Sequence, residues 1–143
     1  MLTTKLLHPQ ILHTLGTSGH GSGILIADGN YPFTTRSNPA AERVYLNLMP
    51  GLVTVTLALE AVVSAIPIES AHVMMPDDGT TPPIHAEFRT LLPNSIDLTP
   101  HNRFPFYDLA RGADVSLVIA TGEQRIYANI LLVIGVVPPP KES

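Results

Sequence analysis

At 143 residues with no cysteine, the chain has the size of one domain, and disulfides and thiolate metal ligation are excluded. A net charge of −4 with no basic cluster argues against nucleic acid, and no apolar run approaches the roughly 18 residues of a membrane span, so no membrane is expected as a partner. Charged residues make up only 14% and mean hydropathy is +0.23, against a usual charged share of about 25%, which predicts a homo-oligomer that hides apolar surface.

Residues 1–10 contain no apolar core of a signal peptide, and a cytoplasmic location is expected. No composition shift marks a linker, so 1–143 reads as a single domain, with 138–143 as a tail that has little to bury. Residues 9–18 open with Pro9, suited to a first helical turn, and carry Ile11, Leu12 and Leu15 on one face before Gly16; they read as a short helix. Residues 24–27, Ile-Leu-Ile-Ala between turn residues, read as a strand. A long loop follows over 30–41. Residues 44–48 alternate apolar and polar as a second strand, which Met49-Pro50-Gly51 breaks.

Residues 52–66 are apolar nearly all round and too long for an ordinary strand, which predicts a helix packed on both sides and closed by Pro67. A buried strand is expected over 71–75, a turn-rich loop over 76–82, and a helix over 83–92 with Ile84, Phe88 and Leu91 on one face. Residues 102–111 are expected to be helical in their later part, because Pro105 is tolerated only in a first turn. Strands over 115–120 and 126–133, joined by a turn at 121–124, predict an antiparallel hairpin. Helices alternating with strands make an α/β layered domain with a mixed sheet.

The glycine-rich run 16–23 precedes a strand and follows a helix, the reverse of a dinucleotide fingerprint, and no Lys-Ser or Lys-Thr completes a phosphate loop. What stands out in it is His20 between Gly19 and Gly21, at the start of the first strand, with Asp28 at that strand's end, where ligand groups gather in α/β sheets. Taken singly, His20 is also readable as a surface turn histidine and Asp28-Gly29 as an ordinary turn pair. Tyr127 and Asn129, two apart in an expected strand, share one face and leave the other to Ala128; a phenol and a carboxamide together suit sugar hydroxyls, and also suit a plain polar edge strand.

Arg103 sits at a helix start, an unfavourable place for a cation, which points to a ligand or a carboxylate partner. Phe104, Phe106 and Tyr107 read as core. His8, His13 and His85 read as structural or surface residues, His72 as a donor to backbone, His101 as near enough to Arg103 to reach a site, and Glu123 as its support. No short-spaced ligand pair suggests a metal.

Gly19-His20-Gly21, the run from Ile24 to Pro32 (ILIADGNYP), Arg103-Phe104-Pro105-Phe106-Tyr107, Thr121-Gly122-Glu123 and the run from Tyr127 to Leu132 (YANILL) come in an order and at a spacing that resemble the L-fucose mutarotase / D-ribose pyranase family. The resemblance runs from about residue 5 to Pro138. It implies a three-layer α/β/α subunit with a mixed, largely parallel sheet, assembled as a ring-like homo-oligomer, decameric in relatives. It implies a sugar mutarotase that interconverts monosaccharide anomers or ring forms by acid–base catalysis and needs no cofactor.

Carried over residue by residue, the resemblance makes His20 the proton donor. Asp28 becomes a sugar-binding carboxylate that also orients His20, and Arg103, Tyr127, Ala128 and Asn129 the remaining sugar contacts. Arg103 matches the fucose-type branch, where ribose-type members tend to carry histidine. The loops over 30–43 and 76–82 depart from the family, and lining the pocket mouth they would change the sugar. A non-catalytic sugar-binding or transport-associated subunit is the alternative that the same polar residues would serve, and a metal-dependent sugar isomerase is a second.

Overall fold

The computed structural model of the chain describes residues 1–142; Ser143, the end of the expected tail, lies outside them. In chain order the elements are α1 (Pro9–Thr17), β1 (Gly23–Ala27), β2 (Glu42–Tyr45), α2 (Val55–Val63), β3 (Ile68–Met75), α3 (Ile84–Leu91), β4 (Leu98–Asn102), α4 (Arg103–Ala110), β5 (Val115–Ala120) and β6 (Ile130–Ile134). The strands form one six-stranded sheet in the order β2-β5-β1-β6-β3-β4. The β2–β5, β5–β1 and β3–β4 pairs are parallel, and β6 runs antiparallel to both of its neighbours, β1 and β3. The sheet is therefore mixed and largely parallel, as expected.

Composition decides which strand lies where. Strands β1, β5 and β6 are apolar on both faces and take the centre. Their alternate residues feed two cores. Ile24 and Ile26 face Ile11 and Leu15 of α1, Val55, Leu59 and Val62 of α2, and Ile84 and Phe88 of α3. Leu25 and Ala27 face Phe106, Tyr107 and Ala110 of α4, together with Tyr31. Three helices thus cover one face and α4 the other, which is the three-layer arrangement.

The structure departs from the sequence reading in several places, and β2 spans Glu42–Tyr45 rather than 44–48. Strands β5 and β6 are not a hairpin, because β1 lies between them and pairs with both; residues 121–129 are long enough to pass over its end. Strand β6 starts at Ile130 rather than residue 126. Strand β4, Leu-Thr-Pro-His-Asn, shows no apolar alternation, because as an edge strand it pairs only with β3, and an edge also tolerates Pro100. The helix expected over 52–66 is shorter and not packed all round: Thr54 caps it by accepting from Leu57 N at 3.3 Å, and Leu57 is 56% exposed.

The discarded stretch before α2 has its own role. Residues 46–53 fold over Gly122, with Gly51 N donating to Gly122 O at 2.7 Å and Gly122 N to Val53 O at 3.0 Å. A side chain at Gly122 would strike the carbonyls of Met49 and Leu52, so glycine is required there by the close approach of two backbones.

Candidate functional site

Parallel strands end at one edge of the sheet, and the chain from each end contributes to two neighbouring cavities there. One, of about 420 Å³, is lined by Asp28, Asn30 and Tyr31 after β1, Met74 on β3, Arg103 and Tyr107 on α4, and Ile126, Tyr127 and Asn129 before β6. The other, of about 410 Å³, shares Asn30 and is lined by Gly29, Asn47, Met49, Pro50 and residues 121–124. The crevice beyond the carboxyl ends of the strands is where α/β sheets bind ligands.

Asp28 is 3% exposed and held from several sides. Its Oδ1 accepts from Asn30 N at 3.0 Å and its Oδ2 from Ala128 N at 3.2 Å, while its own N donates to Asn129 Oδ1 at 2.7 Å. Burial pushes its carboxyl above the ordinary carboxylate value, and the bonds from Asn30, Ala128, Tyr31 and Asn129 oppose that without cancelling it. Ala128 thus contributes its backbone to the site rather than a side-chain face.

Tyr127 and Asn129 do reach one cavity, but not as neighbours on a strand. Tyr127 lies in the loop before β6 with φ 55°, a left-handed conformation uncommon for a residue with a side chain. That turn ends the extended run early, and a strand-spacing argument cannot foresee it. Asn129 is buried, and its Nδ2 reaches Met74 Sδ at 3.9 Å.

Arg103 lines the same cavity from the first turn of α4. It stacks over the Phe104 ring at 4.8 Å and lies 5.7 Å from the Tyr107 ring, and it has no ion pair with Asp28 among the described residues. Phe106 and Tyr107 are buried as expected; Phe104 is not, because it turns outward beneath Arg103. The sequence reading did not foresee Asn30, Tyr31, Met74, Tyr107 or Ile126 in the lining. Tyr31 donates to Arg36 O at 2.6 Å, and burial, with Tyr107 next to it, raises its phenol well above the ordinary value, so it stays neutral. Met74 lines the cavity from β3, next to Val73, which pairs with Ile130 of β6.

His20 is elsewhere. It occupies the turn before β1, next to Gly21, whose φ of 86° suits glycine. Gly21 N donates to Ile134 O at 2.9 Å, which fixes this turn at the far end of β6. The whole of β1, about 16 Å at roughly 3.3 Å per residue, separates His20 from Asp28, so within one chain Asp28 does not orient His20. The nearest partner of His20 is Glu69, at 2.8 Å.

His8, His72, His85, His101 and Glu123 have structural surroundings, and His13 is exposed on α1. His8 caps α1, its Nδ1 accepting from Ile11 N at 3.4 Å. His72 does not donate to backbone: it pairs with His101 at 2.9 Å and with Ser70 at 3.2 Å, and neither His72 nor His101 lines the cavity. Burial, with His101 beside it, lowers the pKa of His72. His85 is buried against Phe88, and its Nε2 has no partner among the described residues; burial and Arg89 lower its pKa, with the backbone of Tyr127 and Met74 pulling the other way.

Glu123 accepts from Val55 N at 3.1 Å, the first N–H of α2, and from Arg125 N and Nε at 3.1 and 3.0 Å. Burial pushes its carboxyl up, but the bonds from Arg125 and Val55 outweigh that and hold it below the ordinary value. It therefore supports the wall of the second cavity. Among the described residues no three His, Asp or Glu converge as a metal site.

Sequence and fold comparisons agree on the kin of this chain. Residues 1–137 match the sequence model of the RbsD / FucU transport protein family. A fucose mutarotase of Danio rerio is 32% identical, over 96% of this chain and 94% of its own length. A D-ribose pyranase of Aliivibrio salmonicida is 27% identical, over 96% of this chain and 99% of its own. The crystal structure of the fucose mutarotase of Streptococcus pneumoniae in complex with L-fucose superimposes with a TM-score of 0.78 at 27% identity, covering 92% of this chain and 94% of that one.

Proposed function

Since the chain belongs to the RbsD / FucU transport protein family, we propose that it is a monosaccharide mutarotase of the fucose type, and that its cavity at the carboxyl ends of the strands takes the sugar. One observation carries this reading: Asp28, Arg103, Tyr127 and Asn129, from three separate stretches of sequence, line a single cavity of monosaccharide size with Tyr31 and Tyr107 as walls. Carboxylate, guanidinium, phenol and carboxamide together offer both acceptors and donors to a ring of hydroxyls. Ring opening needs a proton delivered to the ring oxygen and another taken from the anomeric hydroxyl, and closing reverses both transfers. Asp28 is the one carboxylate lining the cavity, so it takes the anomeric proton as well as binding hydroxyls. No step calls for a cofactor.

His20 supplies the ring-oxygen proton in this reading, and the distance along β1 means that it serves the cavity of another copy. A homo-oligomer that sets the His20 edge of one chain over the cavity edge of the next completes the site. The exposed apolar side chains Leu48, Met49, Leu52 and Ile126 beside the two cavities support such a cover. The test is anomer exchange by saturation-transfer NMR across a panel of monosaccharides, with light scattering on the same sample. Accelerated exchange of L-fucose by an assembly larger than the 15.4 kDa chain is expected. A monomer that accelerates exchange would remove His20 from the site.

A further inference from the structure

His20 and Glu69 form a pair that nothing in the cavity accounts for. His20 Nε2 lies 2.8 Å from Glu69 Oε1, with both side chains about half exposed. The two residues come from different strands' ends, on either side of β6. On one side Ile134 N donates to Ser22 O and Gly21 N to Ile134 O, each at 2.9 Å. On the other, Gly135 N donates to Pro67 O at 2.9 Å.

Glu69 is aimed by the backbone. Ile68 pairs with Ile134 but Ser70 pairs with Val133, so Glu69 is the extra residue of an irregular step in the β3–β6 ladder. Such a step re-aims the side chain it carries. It lies against Gly135, where a Cβ would come within 3.4 Å of Glu69 N and 3.5 Å of Glu69 Cβ. An exposed pair of this kind adds little to stability. Its consequence is for the imidazole. An ionised carboxylate only accepts hydrogen bonds, so the nitrogen facing it carries the proton, and the other nitrogen is left to exchange one.

We propose that Glu69 is a positioning residue for His20: it holds Nε2–H, and thereby makes Nδ1 the nitrogen that gives and receives the proton at the sugar's ring oxygen. This rests on the reading of His20 as the proton donor. In ring opening, the C1–ring-oxygen bond breaks with its electron pair on the oxygen, which takes the Nδ1 proton. The anomeric hydroxyl gives its proton to Asp28 and becomes the carbonyl. Closing returns both protons, and Nε2–H stays on Glu69 throughout.

The test compares Glu69→Ala, Glu69→Gln and His20→Ala in L-fucose exchange, with ¹⁵N-detected ring spectra of His20. Glu69→Ala is expected to lose about tenfold in kcat with KM within about twofold, a size in line with losses from removing a partner that orients a functional histidine. Glu69→Gln, whose amide oxygen still accepts from Nε2–H, is expected to stay within about threefold of wild type. The neutral His20 ring of wild type and of Glu69→Gln should carry its proton on Nε2, and Glu69→Ala should show a mixture. Wild-type kcat in Glu69→Ala, or a loss confined to KM, alongside an inactive His20→Ala, would overturn the role of Glu69 alone. Full exchange in His20→Ala would instead overturn the reading beneath it, whatever the Glu69 variants do.

Discussion

Replacing Asp28 by asparagine separates what the carboxylate does for the fold from what it does for the sugar. The amide has one acceptor oxygen where Asp28 uses two, on Asn30 N and Ala128 N. Ala128 is fully buried and Asn30 is exposed, so the amide turns its oxygen to Ala128 and leaves Asn30 N–H to water. That exchange costs about 0.5–1.5 kcal/mol. Against it stands the relief of a buried charge. A group whose folded pKa is raised adds stability below its unfolded value, 3.8 here, and loses it as pH rises through the folded value. At neutral pH the carboxylate is therefore a burden that asparagine does not carry.

The two effects oppose each other, and the variant should unfold within about 1.5 kcal/mol of wild type, a Tm change of at most about 6 °C. Anomer exchange should fall by roughly 10²–10⁴, the ordinary value of a positioned base. Thermal unfolding at neutral pH and NMR exchange on one preparation read both. An unfolded variant would make Asp28 a structural residue. A folded variant with wild-type exchange would take it out of the chemistry.

Arg103→His should shift the exchange ratio from L-fucose toward D-ribose, because a planar fork of fixed donors is replaced by a shorter, titratable ring; an unchanged ratio in paired NMR measurements would sink the assignment of the branch to Arg103. Glu123→Gln should cost about 1.5–3 kcal/mol at pH 7 through lost charge-assisted bonds to Arg125 and Val55. Because the folded pKa of Glu123 lies below its ordinary 4.5, that stability is present above 4.5 and lost as pH falls, so urea unfolding should show wild type and variant converging in acid. Finally, His20→Ala and Asp28→Asn, each inactive alone, should recover about a quarter of wild-type exchange when mixed in equal amounts and reassembled, since half the cavities keep Asp28 and half of those meet an intact His20; no recovery would contradict a site shared between copies.

The layered fold was legible in the sequence wherever burial alone sets the pattern. The apolar runs at Ile24, Val115 and Ile130 became the three central strands, and Pro9 marked a helix start, whereas α2 ended at Val63, short of Pro67. What was not legible depends on pairing partners. Edge strand β4 has no apolar face to betray it, and the insertion of β1 between β5 and β6 is a tertiary choice that a short link does not reveal. The site divides in the same way. Asp28, Arg103, Tyr127, Ala128 and Asn129 were named from the resemblance and do come together, but Tyr127 arrives through a left-handed turn rather than a strand. Tyr31 and Met74 were missed because each looks like core until the cavity beside it is seen. The separation of His20 from Asp28 was implicit in their placement at opposite ends of one strand, yet the need for a second copy in the proposed reading arises only when the cavity is located at one of those ends.

The most direct measurement is exchange spectroscopy between the α and β anomers of L-fucose at neutral pH, with the purified protein at catalytic concentration. A mutarotase predicts exchange cross-peaks whose rate rises in proportion to protein, saturates with sugar, and disappears in Asp28→Asn. Ligand-induced shifts with exchange no faster than in buffer would make the chain a sugar binder and contradict the account.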